Sequence, residues 1–288
     1  MGKHRIVVSA ENNGYIGWQC KLFYYSCVTR TSFQPLFIVH AMGSEWQSDF
    51  HDLVKAGALV RSAPCYIFTP YDSYPPKNTA GTLLHAAECC DPDDLIVLCD
   101  PDMIFVREPR FPDCLSGDFY SYMNYDHPAA HTAAERLSIP WEAIAERSDY
   151  LCCGVPYVIP ARYARELAQA WLEAVDAFPP RHWTDVMYAF GLACVRLGLP
   201  PITLTQIEEQ NEFSSTRLTA DMIHYCLGDT VWGKRMFFLE EEVPGVWHPM
   251  VQAGRDTILG EILAQIEEAR EFFAGNASVA VIEKRAAG

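Results

Sequence analysis

The chain opens on an apolar run, Ile6-Val7-Val8-Ser9-Ala10, closed by Asn12-Asn13-Gly14. A short apolar run ended by turn formers reads as a buried strand. From Trp18 to Thr29, Leu22, Phe23, Ser26 and Cys27 recur at helical spacing, so a helix is expected there. The pattern then repeats. Strands are expected at 35–40 and 63–69, with helices at 47–58 and 79–90. The run Asp94-Leu95-Ile96-Val97-Leu98-Cys99 is a fourth strand, apolar on both faces as a central parallel strand must be.

Strands alternating with helices imply an α/β fold with a mostly parallel central sheet flanked by helices. The carboxyl-terminal half reads as mixed. Strands are expected at 119–123 and 154–159, and helices at 160–177 and 185–197. A last amphipathic helix, 255–274, carries Ile258, Ile262, Leu263, Ile266, Phe272 and Phe273 on one stripe, which fits packing on the core. Neither repeats nor a low-complexity linker divides the 288 residues, so one domain is expected.

Composition narrows the function classes. Half of the residues are apolar and a fifth are charged, which is globular usage. Lys plus Arg is 22 and Asp plus Glu is 37, a formal net charge of −15. That balance opposes a general grip on phosphate backbones, although Lys3, Lys21, Arg30, Lys55 and Arg61, or Arg162, Arg165 and Arg181, would serve as a local basic patch. No stretch approaches the roughly 20 apolar residues a membrane helix needs, so no membrane partner is expected. Met1-Gly2-Lys3-His4-Arg5 does not build a secretory signal, and Ile6 stands where myristoylation wants Ser or Thr. Eleven cysteines lack any Cys-x-x-Cys pair, and Cys89-Cys90 and Cys152-Cys153 are adjacent. They read as reduced, mostly buried thiols in a cytoplasmic protein. In that setting the sequon Asn276-Ala277-Ser278 carries no weight.

Ligands of α/β sheets bind beyond the carboxyl ends of strands, so the residues after Cys99 come first. Asp100-Pro101-Asp102 lies between that strand and Met103-Ile104-Phe105. Two carboxylates wedged between apolar runs are costly without a compensating cation. A hard divalent ion, Mn2+ or Mg2+, would supply it and would offset the charge of a diphosphate. His224, in Met222-Ile223-His224-Tyr225-Cys226, is a candidate third ligand. Gly228 would let backbone approach a phosphate, and Lys234 would neutralise it. The structural alternative is a satisfied core histidine before a solvated loop.

At these residues the sequence resembles nucleotide-sugar glycosyltransferases of the GT-A fold, and within them the hydroxyproline O-arabinosyltransferase and peptidyl-serine galactosyltransferase relatives. The likeness rests on stretches in order: 6–25 with Trp18-Gln19, Tyr74-Pro75-Pro76-Lys77-Asn78, 95–104 with its Asp-x-Asp-Met, Trp183-Thr184-Asp185-Val186-Met187-Tyr188, and His224-Tyr225. The resemblance implies a GT-A-like fold, a UDP-sugar donor, a manganese-type ion and transfer to an acceptor hydroxyl with retention. It implies that 1–105 is the nucleotide-binding half, 106–254 the acceptor and metal half, and 255–288 a carboxyl-terminal helix and tail. Asp100 and Asp102 would face metal and ribose, with His224 the remaining metal ligand. Ser9, Ala10, Glu11 and Asn12 would line uracil and ribose. Asn78 and Gly81 would lie near the donor, and Gly228 and Lys234 at the diphosphate. Two positions depart from the family. Thr79 stands where the family has Lys, and Asp185 where it has Glu. The family's membrane anchor and secretory context are also missing from this sequence.

Asp185 is the candidate catalytic carboxylate, orienting the acceptor hydroxyl or taking its proton. Its structural alternative is a helix amino-terminal acid capping its own amides, and Glu208 or Glu209 are substitutes for the role. The acceptor is left open between a small molecule, a peptide hydroxyl and a hydroxymethylated base in DNA, the last disfavoured by net charge. The competing activity is a nucleotidyl- or phosphotransferase on the same Asp-x-Asp metal site, for which no glycine-rich phosphate loop exists near the start. A third reading is a binding protein that kept the fold without turnover.

Overall fold

In the computed structural model, residues 2–43, 45–70, 72–179, 182–209, 219–226, 228 and 231–276 are described. Arg181 and the tail past Asn276 lie outside these residues.

The first four strands are β1 (His4–Glu11), β2 (Leu36–His40), β3 (Leu59–Ala63) and β4 (Leu95–Cys99). Helices α1 (Gly14–Arg30), α2 (Ser48–Lys55) and α3 (Asn78–Ala86) separate them. The strands pair in parallel, as the alternation of the sequence implies, and their order is β3-β2-β1-β4. Strand β4 is buried along its whole length, which explains its unbroken apolar run. Asn13 starts α1 by accepting a hydrogen bond from the Ile16 amide at 2.8 Å. That helix is buried from Trp18 to Cys27, because the sheet lies on one side and later elements cover the other.

The second half adds β5 (Met103–Phe105), β6 (Ser116–Phe119), short helices α4 (Pro128–Arg136), α5 (Trp141–Ala145) and α6 (Ser148–Leu151), and β7 (Cys153–Pro160). Helices α7 (Ala161–Ala177) and α8 (Asp185–Arg196) follow, then β8 (Thr203–Thr205), β9 (Glu208–Glu209) and β10 (Met222–His224). The chain continues through α9 (Val243–Val246) to α10 (Ile258–Glu271). The main sheet has seven strands, β3-β2-β1-β4-β7-β6-β8, and only β7 runs against the rest. A small sheet, β5-β10-β9, stands apart from it. The last helix packs on α1, with Phe272 against Tyr24 and Tyr25, so its apolar stripe serves the core.

Several boundaries differ from the sequence pattern. The third strand is 59–63 and not 63–69. It is an edge strand with exposed Leu59, so it lacks an apolar signature, and Pro64 ends its ladder. The strand expected at 119–123 is instead 116–119. It carries Ser116, Gly117 and Asp118 into the interior, where polar residues hide the strand period. Helix α3 stops at Ala86, short of Cys90. The eleven cysteines are unpaired, but only Cys20, Cys27, Cys99, Cys153 and Cys194 are fully buried, while Cys89 and Cys114 are exposed. Among the described residues, no helix is long and apolar enough to cross a membrane.

Candidate active site

Asp100 follows the carboxyl end of β4, and Asp102 immediately precedes β5. Strand β5 pairs antiparallel with β10, setting His224 opposite Met103. The Tyr225 amide closes this register by donating to the Asp102 carbonyl at 3.0 Å. Residues far apart in sequence thus meet. One ligand atom each from Asp100, Asp102 and His224 falls within 4.8 Å of the others.

His224 Nε2 lies 3.3 Å from an Asp102 oxygen, and Lys234 donates to the other Asp102 oxygen. On its far side, His224 Nδ1 lies 3.2 Å from Glu208. Glu208 is held in turn. Its amide and that of Ile207 donate to Asp118 at 2.7 and 2.8 Å, and Thr205 donates its hydroxyl to the same carboxylate. Asp118 therefore ties β6 to the segment that carries Glu208, and its burial pushes its carboxyl up to about 6.

The charges are arranged against one another. Burial, then repulsion from Asp102, pushes the Asp100 carboxyl up to about 6. Burial works the same way on Asp102, but the Lys234 and His224 charges outweigh it and hold its carboxyl well below the usual range. Burial pulls both the His224 imidazole and the Lys234 ammonium down, but Asp102 together with other nearby groups outweighs it, so both sit above their ordinary pKa values.

Two carboxylates and an imidazole form a donor set suited to Mn2+ or Mg2+. The polarisation of His224 also fits a ligand, since metal-bound histidines donate their second ring N–H to a carboxylate or carbonyl. Asp100, Asp102 and His224 are thus the residues able to hold a divalent ion.

These groups border a cavity of about 660 Å³, within the range of roughly 300–1,000 Å³ usual for ligand pockets. It follows the carboxyl edge of the main sheet. Ser9, Ala10 and Glu11 of β1 line one flank, together with Asn13, Tyr15 and Asn78. Asp100, Asp102, His224 and Lys234 form its middle. Tyr120, Tyr122, Val155, Trp183 and Met187 close the other flank.

The remaining candidates have other surroundings. Asn12 is not on the cavity wall; its side chain donates to the Glu45 carbonyl and accepts from the Gln47 amide. Asn78 is. It donates to Glu11 at 3.3 Å and accepts from the Tyr66 amide, while burial pushes the Glu11 carboxyl up. Gly81 faces Tyr66 instead of the cavity, and a Cβ there would come within 2.3 Å of that ring. Gly228 bridges Gly233 backbone to backbone, with only 3.0 Å to spare for a Cβ, and so closes the turn that delivers Lys234.

Asp185 is the first residue of α8 and is buried. It accepts a hydrogen bond from the His182 amide at 2.7 Å and does not line the cavity. It holds the turn that carries Trp183. Glu208 is likewise off the wall, behind His224, and the Glu209 side chain lies outside the described residues.

Several of the suggested basic residues are paired with carboxylates, while Arg162 lies over the Tyr163 ring and Arg181 is outside the described residues. Lys21 pairs with Asp49 and Asp52, Lys55 with Asp52, Arg30 with Glu268, and Arg61 and Arg165 with Glu88. Missed on the sequence were Asn13, taken only as a turn residue, and the aromatics Tyr15, Tyr120 and Tyr122. Their one sequence signal was position, just past the ends of strands or at a helix start.

No protein-family model and no curated protein matches the sequence. Solved structures do. The galactosyltransferase LgtC in complex with donor and acceptor sugar analogs matches with a TM-score of 0.50 and 12% identity. The alignment covers 87% of this chain and 98% of that one. An active-site mutant of LgtC matches with the same score and coverage at 13% identity. The chain shares its fold with these GT-A-type glycosyltransferases. At that identity the likeness speaks for architecture, and the site must speak for chemistry.

Proposed function

We propose that the protein is a metal-dependent glycosyltransferase that moves a sugar from a UDP-sugar to an acceptor hydroxyl, with retention. The observation that carries this reading is the meeting of Asp100, Asp102, His224 and Lys234 in the middle of the cavity. A bound Mn2+ or Mg2+ would hold the diphosphate and stabilise the charge of the departing UDP. The chain's own residues do the rest. Asp100, Asp102 and His224 hold the ion, and Lys234 gives a second positive charge to the leaving phosphate. The β1 flank, with Ser9, Glu11 and Asn78, takes the nucleoside. The far flank positions the acceptor, which contributes rate by fixing the hydroxyl near the anomeric carbon.

In the transfer the bond from the anomeric carbon to the UDP oxygen breaks. A bond from that carbon to the acceptor oxygen forms, and the hydroxyl proton passes to the departing diphosphate oxygen on the same face. Asp185 supports this step from behind, through the turn that bears Trp183. The hydroxyproline O-arabinosyltransferase and peptidyl-serine galactosyltransferase resemblance supports UDP as the carrier, and the LgtC structure, which holds donor and acceptor sugar analogs, supports the same two-substrate use of the cavity.

The test is calorimetric titration of UDP with manganese, followed by UDP release in the presence of UDP-sugars. Asp102→Asn and His224→Ala should abolish metal-dependent UDP binding and leave the circular dichroism spectrum intact. Full binding in either variant would remove the metal site. Release of pyrophosphate in place of UDP would instead favour the nucleotidyltransferase reading.

A further inference from the structure

We infer that the acceptor is a carbohydrate, seated against an aromatic shelf made by Trp183 and Tyr122. The inference rests on the glycosyltransferase reading and names the substrate class of the same cavity.

The first observation is exposure. Trp183 is 59% exposed and Tyr122 is 49% exposed, although both line a deep cavity. None of the other six tryptophans of the chain is exposed to that degree. Leaving two large aromatic faces in water sacrifices burial each would gain in a core.

The second observation is order. Tyr120 stacks on Tyr122 with centroids 5.3 Å apart and planes 18° from parallel. Tyr122 meets Trp183 at 5.9 Å. Tyr120 is anchored by donating its hydroxyl to the Val155 carbonyl at 2.9 Å. The Trp183 carbonyl accepts from the Tyr74 hydroxyl at 3.0 Å, and Asp185 braces the same turn through the His182 amide. The shelf is thus held from beneath at both ends, as a binding platform requires and a loose surface aromatic does not.

The third observation is place. Tyr122 follows β6, two strands beyond β4 in the sheet, and meets Trp183, while β1 neighbours β4 on the other side, so the carboxylates after β4 fall between them. A donor with its nucleoside at β1 and its phosphates at the carboxylates leaves the shelf for the acceptor.

Shape and charge then select the class. A pyranose offers a face of C–H groups to aromatic rings and hydroxyls at its rim, which matches the exposed rings of Trp183 and Tyr122, tilted 51° to each other. A nucleic-acid strand also stacks on aromatics but needs cations along its phosphates. Of the lysines and arginines suggested for that purpose, Lys21, Arg30, Lys55, Arg61 and Arg165 are engaged with carboxylates.

The test uses the full chain with manganese and UDP. Lactose, maltose and cellobiose, a serine-containing peptide and a hydroxymethylcytosine oligonucleotide are titrated while tryptophan fluorescence is followed. At least one saccharide should change the emission saturably and accept sugar from a UDP-sugar donor. Trp183→Ala should erase that change and raise the saccharide KM by about tenfold, with UDP affinity kept. Trp183→Phe should restore most of the KM, and Tyr122→Ala should raise it in the same direction. Transfer to the peptide or the oligonucleotide alone, no response to any saccharide, or an unchanged KM in Trp183→Ala would each overturn the inference. Loss of UDP binding in the unmodified protein would remove the glycosyltransferase reading and this inference with it. UDP binding without a shelf effect would remove only the inference.

Discussion

The Glu208 carboxylate lies 3.2 Å from Nδ1 of His224, on the opposite side of the ring from Asp102. Its charge, beside the Tyr120 hydroxyl 3.4 Å from the same nitrogen, favours a proton on Nδ1 and leaves Nε2 to the Asp100 and Asp102 side. Partners of this kind change metal affinity by about 10- to 100-fold in known sites. Glu208→Ala should weaken manganese binding by that order, read by calorimetry, with Glu208→Gln between the two. Unchanged affinity in Glu208→Ala would mean that the ring is oriented by something else.

Metal stabilisation should grow with pH. Asp100 has its folded pKa raised to about 6, above its ordinary 3.8. Its sign is thus the reverse of a salt-bridged acid: the folded state favours the protonated form, and ionising it between about pH 4 and 6 costs stability. His224 is raised, so its proton stabilises the fold at low pH and is lost as pH rises through its folded pKa. A divalent ion needs Asp100 ionised and displaces the His224 proton, so both groups make binding release protons. The rise in Tm given by saturating manganese should be small at pH 5 and larger at pH 7.5. Equal shifts at both values would contradict this assignment.

Lys234 shares Asp102 with His224. Removing its charge lifts a competitor for that carboxylate but also takes a cation from the diphosphate. Lys234→Met should leave manganese affinity without nucleotide equal or higher, and lower UDP affinity in manganese by about tenfold. Parallel loss of both would show that Lys234 acts on the fold instead.

Gly154 of β7 sits under Tyr120. A Cβ there would stand 2.0 Å from the ring and 2.9 Å from the Met187 methyl. Gly154→Ala should cost about 1–3 kcal/mol, as overpacked cores do, and should raise the KM of the acceptor by displacing the ring under Tyr122. A Tm equal to that of the unmodified protein would show that the ring yields freely.

Much of the fold was legible along the chain. The parallel sheet is announced by runs such as Leu95 to Cys99, because a strand buried on both faces has to be apolar throughout, while its order β3-β2-β1-β4 came only from the structure. The edge strand β3 and the polar strand β6 were displaced in the reading, because one is exposed and the other buries Ser116 and a hydrogen-bonded Asp118. The Asp100-Pro101-Asp102 pair was legible for a similar reason, as charge set between apolar runs demands a partner.

What the sequence determined by itself was therefore local: which runs are buried, where the central strand ends, and that two carboxylates stand at its end. The tertiary structure alone decided which partners they meet. His224 arrives through antiparallel pairing of β10 with β5, Glu208 through its ladder beside β10, and Lys234 from the turn closed by Gly228 and Gly233. It also decided that Asp185 supports the wall from behind while Trp183, two residues earlier, faces the cavity. Periodicity reports the environment along one segment. The direction of a side chain relative to a strand more than 100 residues away is fixed only when hydrogen-bond ladders and core packing set the register between them.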